Sequence, residues 1–450
     1  MTKDGQFETY QEVTKFISGL SHRKVGITEV YAERMKYLLS QLGQPENKLK
    51  VVHITGTSGK GSVAALISSI IHASGYSTGL QMSPHLQSIR ERTQVDGKYP
   101  LTTTYLGLAN RVKKAYDKTV AKGSYGTPDY YQFLTAISLC WFVKRKVNIA
   151  VVEVGAGGYG DSTNVVVPTV SVITNVGLDH TGFMGKTMEK IAIVKAGIIK
   201  PHSAVVCGAT QPSIISIFEK RAKQLGCKFS SVKEKVRYKV KKITADSVIA
   251  DIISPTYKGE NIKIGLTGEH QVKNASIAVV ATKILSRKYG FSKISNESIT
   301  KGLEEATVPG RFEMLQDKPM VVLDGAHNKD KMAALVKLVK KVFDKKKIYL
   351  MMGFKHNKDV RGMMQEVASL NLEKIVLTEM PEGSNAPRFM PSAKIKKRMN
   401  QSQTELVVSK PSPKEAMEYL LDKAEEDAVI IVTGSLYLAG EIRNQWEEIE

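Results

Sequence analysis

Short apolar runs alternate with amphipathic stretches along the first half of the chain. Residues 50–55 (KVVHIT), 147–154 (VNIAVVEV) and 170–175 (VSVITN) are nearly unbroken β-branched runs, the pattern of strands buried on both faces. Residues 76–82 read as a further strand. Apolar residues at helical spacing fill 62–73, 130–144 and 187–198. This strand–helix alternation predicts a parallel sheet covered on both faces. The period changes between 228 and 266. There Lys235, Arg237, Lys239 and Lys241 alternate with Val236, Tyr238 and Val240. Period two with one basic face predicts a half-exposed antiparallel strand, either a solvated face or a surface for an anionic chain. Thr307-Val308-Pro309-Gly310-Arg311 interrupts helix and strand alike. A second series follows, with strands over 320–323, 347–352, 374–378 and 428–433 and a helix over 330–343. The domain boundary is expected near 306–312.

Charge sharpens this division. Lys and Arg exceed Asp and Glu by 21 in 450 residues. Residues 1–311 hold a net +20 and residues 312–450 only +1. Such a balance predicts anionic partners for the larger part. The three cysteines (Cys140, Cys207, Cys227) form no CxxC and no even set. That excludes a disulfide scaffold and a cysteine zinc site. With no signal peptide and no apolar run of spanning length, a soluble cytoplasmic protein is expected. The cluster Lys394, Lys396, Lys397 and Arg398 reads as a solvated helix face rather than a nucleic-acid patch.

Chemistry concentrates at predicted strand ends. Gly56-Thr57-Ser58-Gly59-Lys60-Gly61-Ser62 lies between a strand and a helix. In that context glycines turn backbone N–H groups toward phosphate oxygens, and the helix N-terminus adds positive potential. The loop is shorter than the common GxxxxGK[ST] form, and Gly61 separates Lys60 from Ser62. Glu153 closes an apolar strand, and Asn175 closes another just before Asp179-His180. Ligands bind beyond the carboxyl ends of parallel strands. An oxygen-rich set with a single imidazole there suits Mg²⁺ on ATP phosphates better than zinc.

These residues carry a family resemblance. The phosphate loop, Met82-Ser83-Pro84-His85, Phe133-Leu134-Thr135, Glu153-Val154-Gly155-Ala156-Gly157-Gly158 and Asp161-Ser162-Thr163-Asn164 resemble folylpolyglutamate and dihydrofolate synthases of the Mur ligase superfamily. So do Leu178-Asp179-His180, Lys195-Ala196-Gly197-Ile198-Ile199-Lys200-Pro201 and Gly268-Glu269-His270-Gln271-Val272-Lys273-Asn274. Pro309-Gly310-Arg311, Asp324-Gly325-Ala326-His327-Asn328 and Thr433-Gly434-Ser435-Leu436-Tyr437 continue the match in order.

The resemblance implies an α/β fold: a large P-loop-type domain over 1–308 with a mostly parallel sheet, and a smaller Rossmann-like α/β domain over 309–450. It implies an ADP-forming ligase of folate and one-carbon metabolism that joins L-glutamate to a folate or dihydropteroate carboxylate through an acyl phosphate. Thr57, Ser58, Gly59, Lys60, Gly61 and Ser62 would hold the ATP phosphates, with Asn274 at the adenine and Arg311 and Asp324 reaching the nucleotide. Ser83, Glu153 and His180 would ligate Mg²⁺, as one ion or two. Lys195 matches a lysine that family members carbamylate, which would make it a further metal ligand. Lys60, Lys195, His180 and His327 are the expected catalytic residues. Tyr131, Gln132, Tyr159 and Asp161 fall at acceptor-side positions. A monomer is expected, with no nucleic-acid or membrane partner.

Three positions depart from the folate pattern. Ser58 replaces an Asn, Gln132 replaces a Glu, and Tyr159-Gly160-Asp161-Ser162 lacks an Arg. Two of these fall on the acceptor side, which leaves open a ligase acting on a different acid such as a cell-wall precursor. A non-enzymatic nucleotide or nucleic-acid binder would have no use for Lys195 and Arg311 in their motifs.

Overall fold

The structure is a computed structural model that describes residues 5–22, 29–178, 181–356, 358–380 and 388–449. The first sheet contains β1 (Val51–Thr55), β2 (Thr78–Gln81), β3 (Thr93–Val95), β4 (Ile149–Glu153), β5 (Val170–Ile173), β6 (Ala204–Cys207) and β7 (Lys228–Ser231). Their order is β3-β2-β4-β1-β5-β6-β7. Neighbours are parallel except β2 and β3. β1, β4 and β5 are buried along their whole length, as their apolar runs predict, and so is β6, which was not among the predicted strands. Successive β1 side chains serve opposite faces. Val52 and Ile54 join the core formed with the Lys60–Ala73 and Glu269–Lys288 helices. Val51 joins the core around the Tyr130–Lys144 helix.

A small antiparallel sheet follows, with β8 (Arg237–Ile243), β9 (Val248–Ser254) and β10 (Tyr257–Ile264) in the order β10-β9-β8. The basic strand therefore begins at Arg237, because Val232–Lys235 forms a helical turn. It is also more exposed than period two alone predicts. Tyr238 is 45% exposed, since β8 is an edge with a neighbour on one side only. Exposed lysines on such an edge oppose pairing with another chain.

The remaining six strands are β11 (Arg311–Asp317), β12 (Met320–Asp324), β13 (Ile348–Met352), β14 (Leu372–Leu377), β15 (Val407–Ser409) and β16 (Val429–Thr433). They form one sheet ordered β11-β12-β16-β13-β14-β15, parallel except for β11 on β12. Two α/β sheets thus stand where two were predicted. The Asn296–Glu305 helix ends just before, and β11 begins within, the predicted boundary. The two parts meet at the loop after β2. Leu86 packs into the core of the second sheet, and Arg443 donates to Gln87 Oε1 at 2.6 Å. No helix among the described residues is long and apolar enough to cross a membrane.

Candidate active site

A cleft of about 1170 Å³ lies between the two parts of the molecule. That exceeds the ~300–1,000 Å³ of a single small-molecule pocket and leaves room for a nucleotide beside a second ligand. Residues Thr57 to Ser62 line it, together with Ser83, Glu153, Asn274, Arg311, Asp324 and His327. Tyr131 and Asp161 line it as well. The chain thus brings together residues separated by more than half its length.

The phosphate loop is held before any ligand arrives. Asn175 Oδ1 accepts from the Thr57 and Ser58 N–H groups at 3.1 and 2.8 Å. Thr174 Oγ1 donates to the Ser58 carbonyl at 2.6 Å, so the end of β5 fixes the loop that leaves β1. Gly59 has φ 77°, and a Cβ there would meet Asn274 Oδ1 at 2.7 Å, so only glycine suits the position. Gly59 caps the Lys60–Ala73 helix without a side-chain bond. First-turn N–H groups have no partner within a helix, and here they open on the cleft. Lys60 Nζ donates to the Gly56 carbonyl at 3.0 Å, folding its charge back over the loop.

Glu153, at the end of β4, is 4% exposed. Its Oε2 accepts from the Ser83 N–H at 2.7 Å. A Cβ on Gly61 would lie 3.8 and 3.9 Å from its two oxygens, so the helix start crosses close above the carboxylate. Burial pushes this carboxyl above the usual range, against Lys60, the Ser83 hydrogen bond, Arg311 and Arg92. Among the described residues no three His, Cys, Asp or Glu side chains cluster to cage a metal. A buried hard carboxylate with the Ser83 hydroxyl beside a phosphate loop instead fits Mg²⁺, which takes one or two carboxylates and fills its shell with water and phosphate. Asp179 and His180, the latter an expected ligand, lie outside the described residues. Lys195 is 1% exposed, in the last turn of the Met188–Ala196 helix. It packs behind Gly158, whose Cβ would meet the Lys195 Cα at 3.0 Å, and it does not line the cleft.

The second sheet contributes Arg311 and Asp324, paired in register on β11 and β12. Asp324 Oδ1 and Oδ2 accept from the Ala326 and Phe312 N–H groups at 2.8 and 3.0 Å. Burial raises its carboxyl, and Arg311 opposes the rise most. Arg311 therefore acts on a carboxylate from each part, Glu153 and Asp324. His327 is depressed to about 4, by burial first and Lys331 next, and is a neutral imidazole at physiological pH. Asn274 lies against Gly59, and its Nδ2 donates to Gln271 Oε1 at 2.8 Å.

The expected acceptor-side residues divide. Tyr131 faces the cleft, and burial raises its phenol. Asp161 also lines it, but both oxygens serve its own loop, accepting from Thr163 and Ala156 N–H groups at 3.0 Å each. Gln132 does not reach the cleft. It is fully buried, completes a capping box with Asp129, and donates from Nε2 to the Tyr31 carbonyl at 2.8 Å. An amide three residues after an Asp N-cap is a capping partner by spacing alone, which is the local signal for this outcome. Tyr159 is 55% exposed and does not line the cleft either.

Sequence reasoning missed Tyr31, His85, Arg92 and Lys331, all on the cleft wall. Arg92 Nε donates to His85 Nδ1 at 2.8 Å, and its guanidinium lies 5.4 Å from the Tyr130 ring centroid. Burial, then Arg92, holds His85 down to about 3. A cation among tyrosine rings can hold a flat, anionic ligand. Only the His85 motif gave a signal in the sequence.

Residues 54–282 match the Mur ligase middle domain, and residues 310–436 the Mur ligase glutamate ligase domain. A dihydrofolate synthase/folylpolyglutamate synthase of Bacillus subtilis is 31% identical over 98% of this chain and 99% of its own. The crystal structure of a folylpolyglutamate synthase from Thermotoga maritima superposes with a TM-score of 0.86 at 29% identity, covering 98% of this chain and 97% of that one. The folylpolyglutamate synthase of Mycobacterium tuberculosis, solved with ADP and AMPPCP, gives 0.80 at 26% identity over 92% and 95%.

Proposed function

The chain belongs to the Mur ligase family, among the folylpolyglutamate and dihydrofolate synthases, and from that premise we propose how its cleft works. It is an ATP-dependent, ADP-forming ligase that joins L-glutamate to a folate-type carboxylate. The observation that carries the reading is the convergence of the phosphate loop and Glu153 with Arg311, Asp324 and His327 in one cleft. The family placement favours a folate acceptor over a cell-wall precursor.

In this reading the loop N–H groups and Lys60 cradle the β- and γ-phosphates, and Asp324 and Asn274 fix the nucleoside end. Tyr31, Tyr131 and Arg92 receive the acceptor and bring its carboxylate toward the γ-phosphate. Two anions approach there, so Lys60 and Arg311 offset their repulsion. The acceptor carboxylate oxygen attacks the γ-phosphorus and ADP leaves with the P–O bonding pair, giving an acyl phosphate; the neutral glutamate amine then attacks the acyl carbon, phosphate leaves with the C–O bonding pair, and the nitrogen gives up one proton to solvent or the departing phosphate. Glu153 and Ser83 would hold Mg²⁺, which when bound supplies Lewis-acid polarisation of phosphoryl oxygens. Lys195 is the proposed carbamylation site, and 308/309 the domain boundary. We place the enzyme in the cytoplasm as a monomer, in keeping with three free thiols.

The test is ADP release with ATP, Mg²⁺ and glutamate across an acceptor panel, with product mass. Acceptor-dependent ADP from dihydropteroate, tetrahydrofolate or their glutamates is expected. Its absence with every folate acceptor removes the folate reading.

A further inference from the structure

The β1 run is apolar except for His53 and Thr55, which share the face opposite Val52 and Ile54. His53 is fully buried, and no step above uses it. Its Nε2 lies 2.9 Å from Thr163 Oγ1. The one proton of that hydroxyl goes to Asp161 Oδ1. Toward the imidazole the oxygen can therefore only accept, so Nε2 carries the ring proton and Nδ1 the lone pair. Nδ1 has no hydrogen-bond partner among the described residues. A valine here would continue the run without burying that lone pair, so what the histidine adds is the donated proton. Burial, then Lys200, holds the ring down to about 3, which keeps it a neutral donor.

The chain of donors ends on the cleft wall. Asp161 also accepts from the Ala156 N–H at 3.0 Å, and Ala156 and Asp161 both line the cleft. Thr55, on the same face of β1, donates from Oγ1 to the Gly157 carbonyl. β1 thus grips the loop that leaves β4 at two points: Gly157 directly, and Ala156 through Thr163 and Asp161. The same strand delivers the phosphate loop, and Glu153 ends β4 beside it. A chain of N–H, O–H and carboxylate polarises along its length, so each bond strengthens the next.

Resting on the ligase reading above, we propose that His53 is a positioning residue. By donating through Thr163 to Asp161 it fixes the turn after Glu153, and so holds the acceptor wall of the cleft in register with the phosphate loop.

The experiment is steady-state kinetics on wild type, His53→Leu, His53→Gln, Thr163→Val, Thr163→Ser and the Leu/Val double variant, with acceptor and ATP varied in turn. Loss of one bond in a chain that ends on a carboxylate predicts a ~5–30-fold fall in kcat/KM for the acceptor in the Leu and Val variants. KM for ATP stays put. Gln, which keeps an N–H donor at the reach of Nε2, and Ser, which keeps the hydroxyl, each restore most of the loss. The double variant is no worse than the worse single one, because both break the same chain. Thermal melts establish which variants fold, and Thr163→Val against Thr163→Ser decides if His53→Leu does not. Unchanged kcat/KM in the folded variants, equal losses toward acceptor and ATP, or effects that multiply in the double variant overturn the proposal. Wild type without acceptor-dependent ADP release would instead overturn the ligase reading.

Discussion

Glu153 is buried at a strand end with Lys60, Arg311 and Arg92 as its opposing charges, and burial still wins. In the proposed mechanism a bound cation would supply the charge that this burial lacks. Removing Glu153 should leave the fold standing, since its hydrogen bond among the described residues is a single one, from Ser83. Glu153→Ala and Lys60→Ala are each expected to lower kcat by ~10²-fold or more, as loss of one preorganised charge does. Far-UV circular dichroism should be unchanged. Retained turnover in either variant would sink the assignment. Both residues were legible in the sequence, because a glycine loop and a strand-end carboxylate are local patterns. Arg92 and Lys331 were not, because a lone cation acquires meaning only from what tertiary folding sets beside it. Gln132 shows the converse: its neighbours suggested an acceptor contact, and its helix turned it inward as a cap.

At the scale of elements, the phosphate loop is the product of two adjacent strands. β1 delivers it, and the residues just after β5 hold it through Thr174 and Asn175. Asn175→Ala strands the Ser58 N–H and leaves the Thr57 N–H only the residue 175 carbonyl at 3.2 Å, and loss of one to two hydrogen bonds of about 1 kcal/mol each predicts a ~5–30-fold rise in KM for ATP. KM for the acceptor should move less. Equal shifts in both would mean that Asn175 supports the cleft generally rather than the loop. The parallel strands were legible because strands buried on both faces must be apolar throughout. β11 was not read as a strand, since its residues are mostly half-buried or exposed and its alternation is broken by two register shifts.

Over the whole molecule, the cleft depends on how the two parts are joined. Leu86 reaches from the β2 loop into the core of the second sheet, beside Ser83 on the same loop. Contacts between the parts are therefore tied to the Glu153 environment. Residues 1–311, which carry the net +20, supply most of the cleft lining, and the proposed ligands of the cleft are all anions. Electrostatic capture of such ligands weakens as salt rises. Raising ionic strength from about 0.02 to about 0.2 M should lower kcat/KM for a polyglutamylated acceptor by roughly threefold or more, through slower capture. The effect should shrink for an acceptor with fewer carboxylates, and equal losses for both would mean that charge does not steer.

The sequence by itself determined the two α/β series and the glycine loop between β1 and its helix, because burial of a strand and turning of a loop are written in neighbouring residues. It also located the strand-end carboxylate and the charge asymmetry. Only the tertiary structure decided which residues share the cleft. It brought Arg311, Asp324 and His327 to the phosphate loop, turned Gln132 and Tyr159 away, and set Lys331 against His327. Packing places side chains hundreds of positions apart within a few ångströms of one another, and no local pattern encodes that distance.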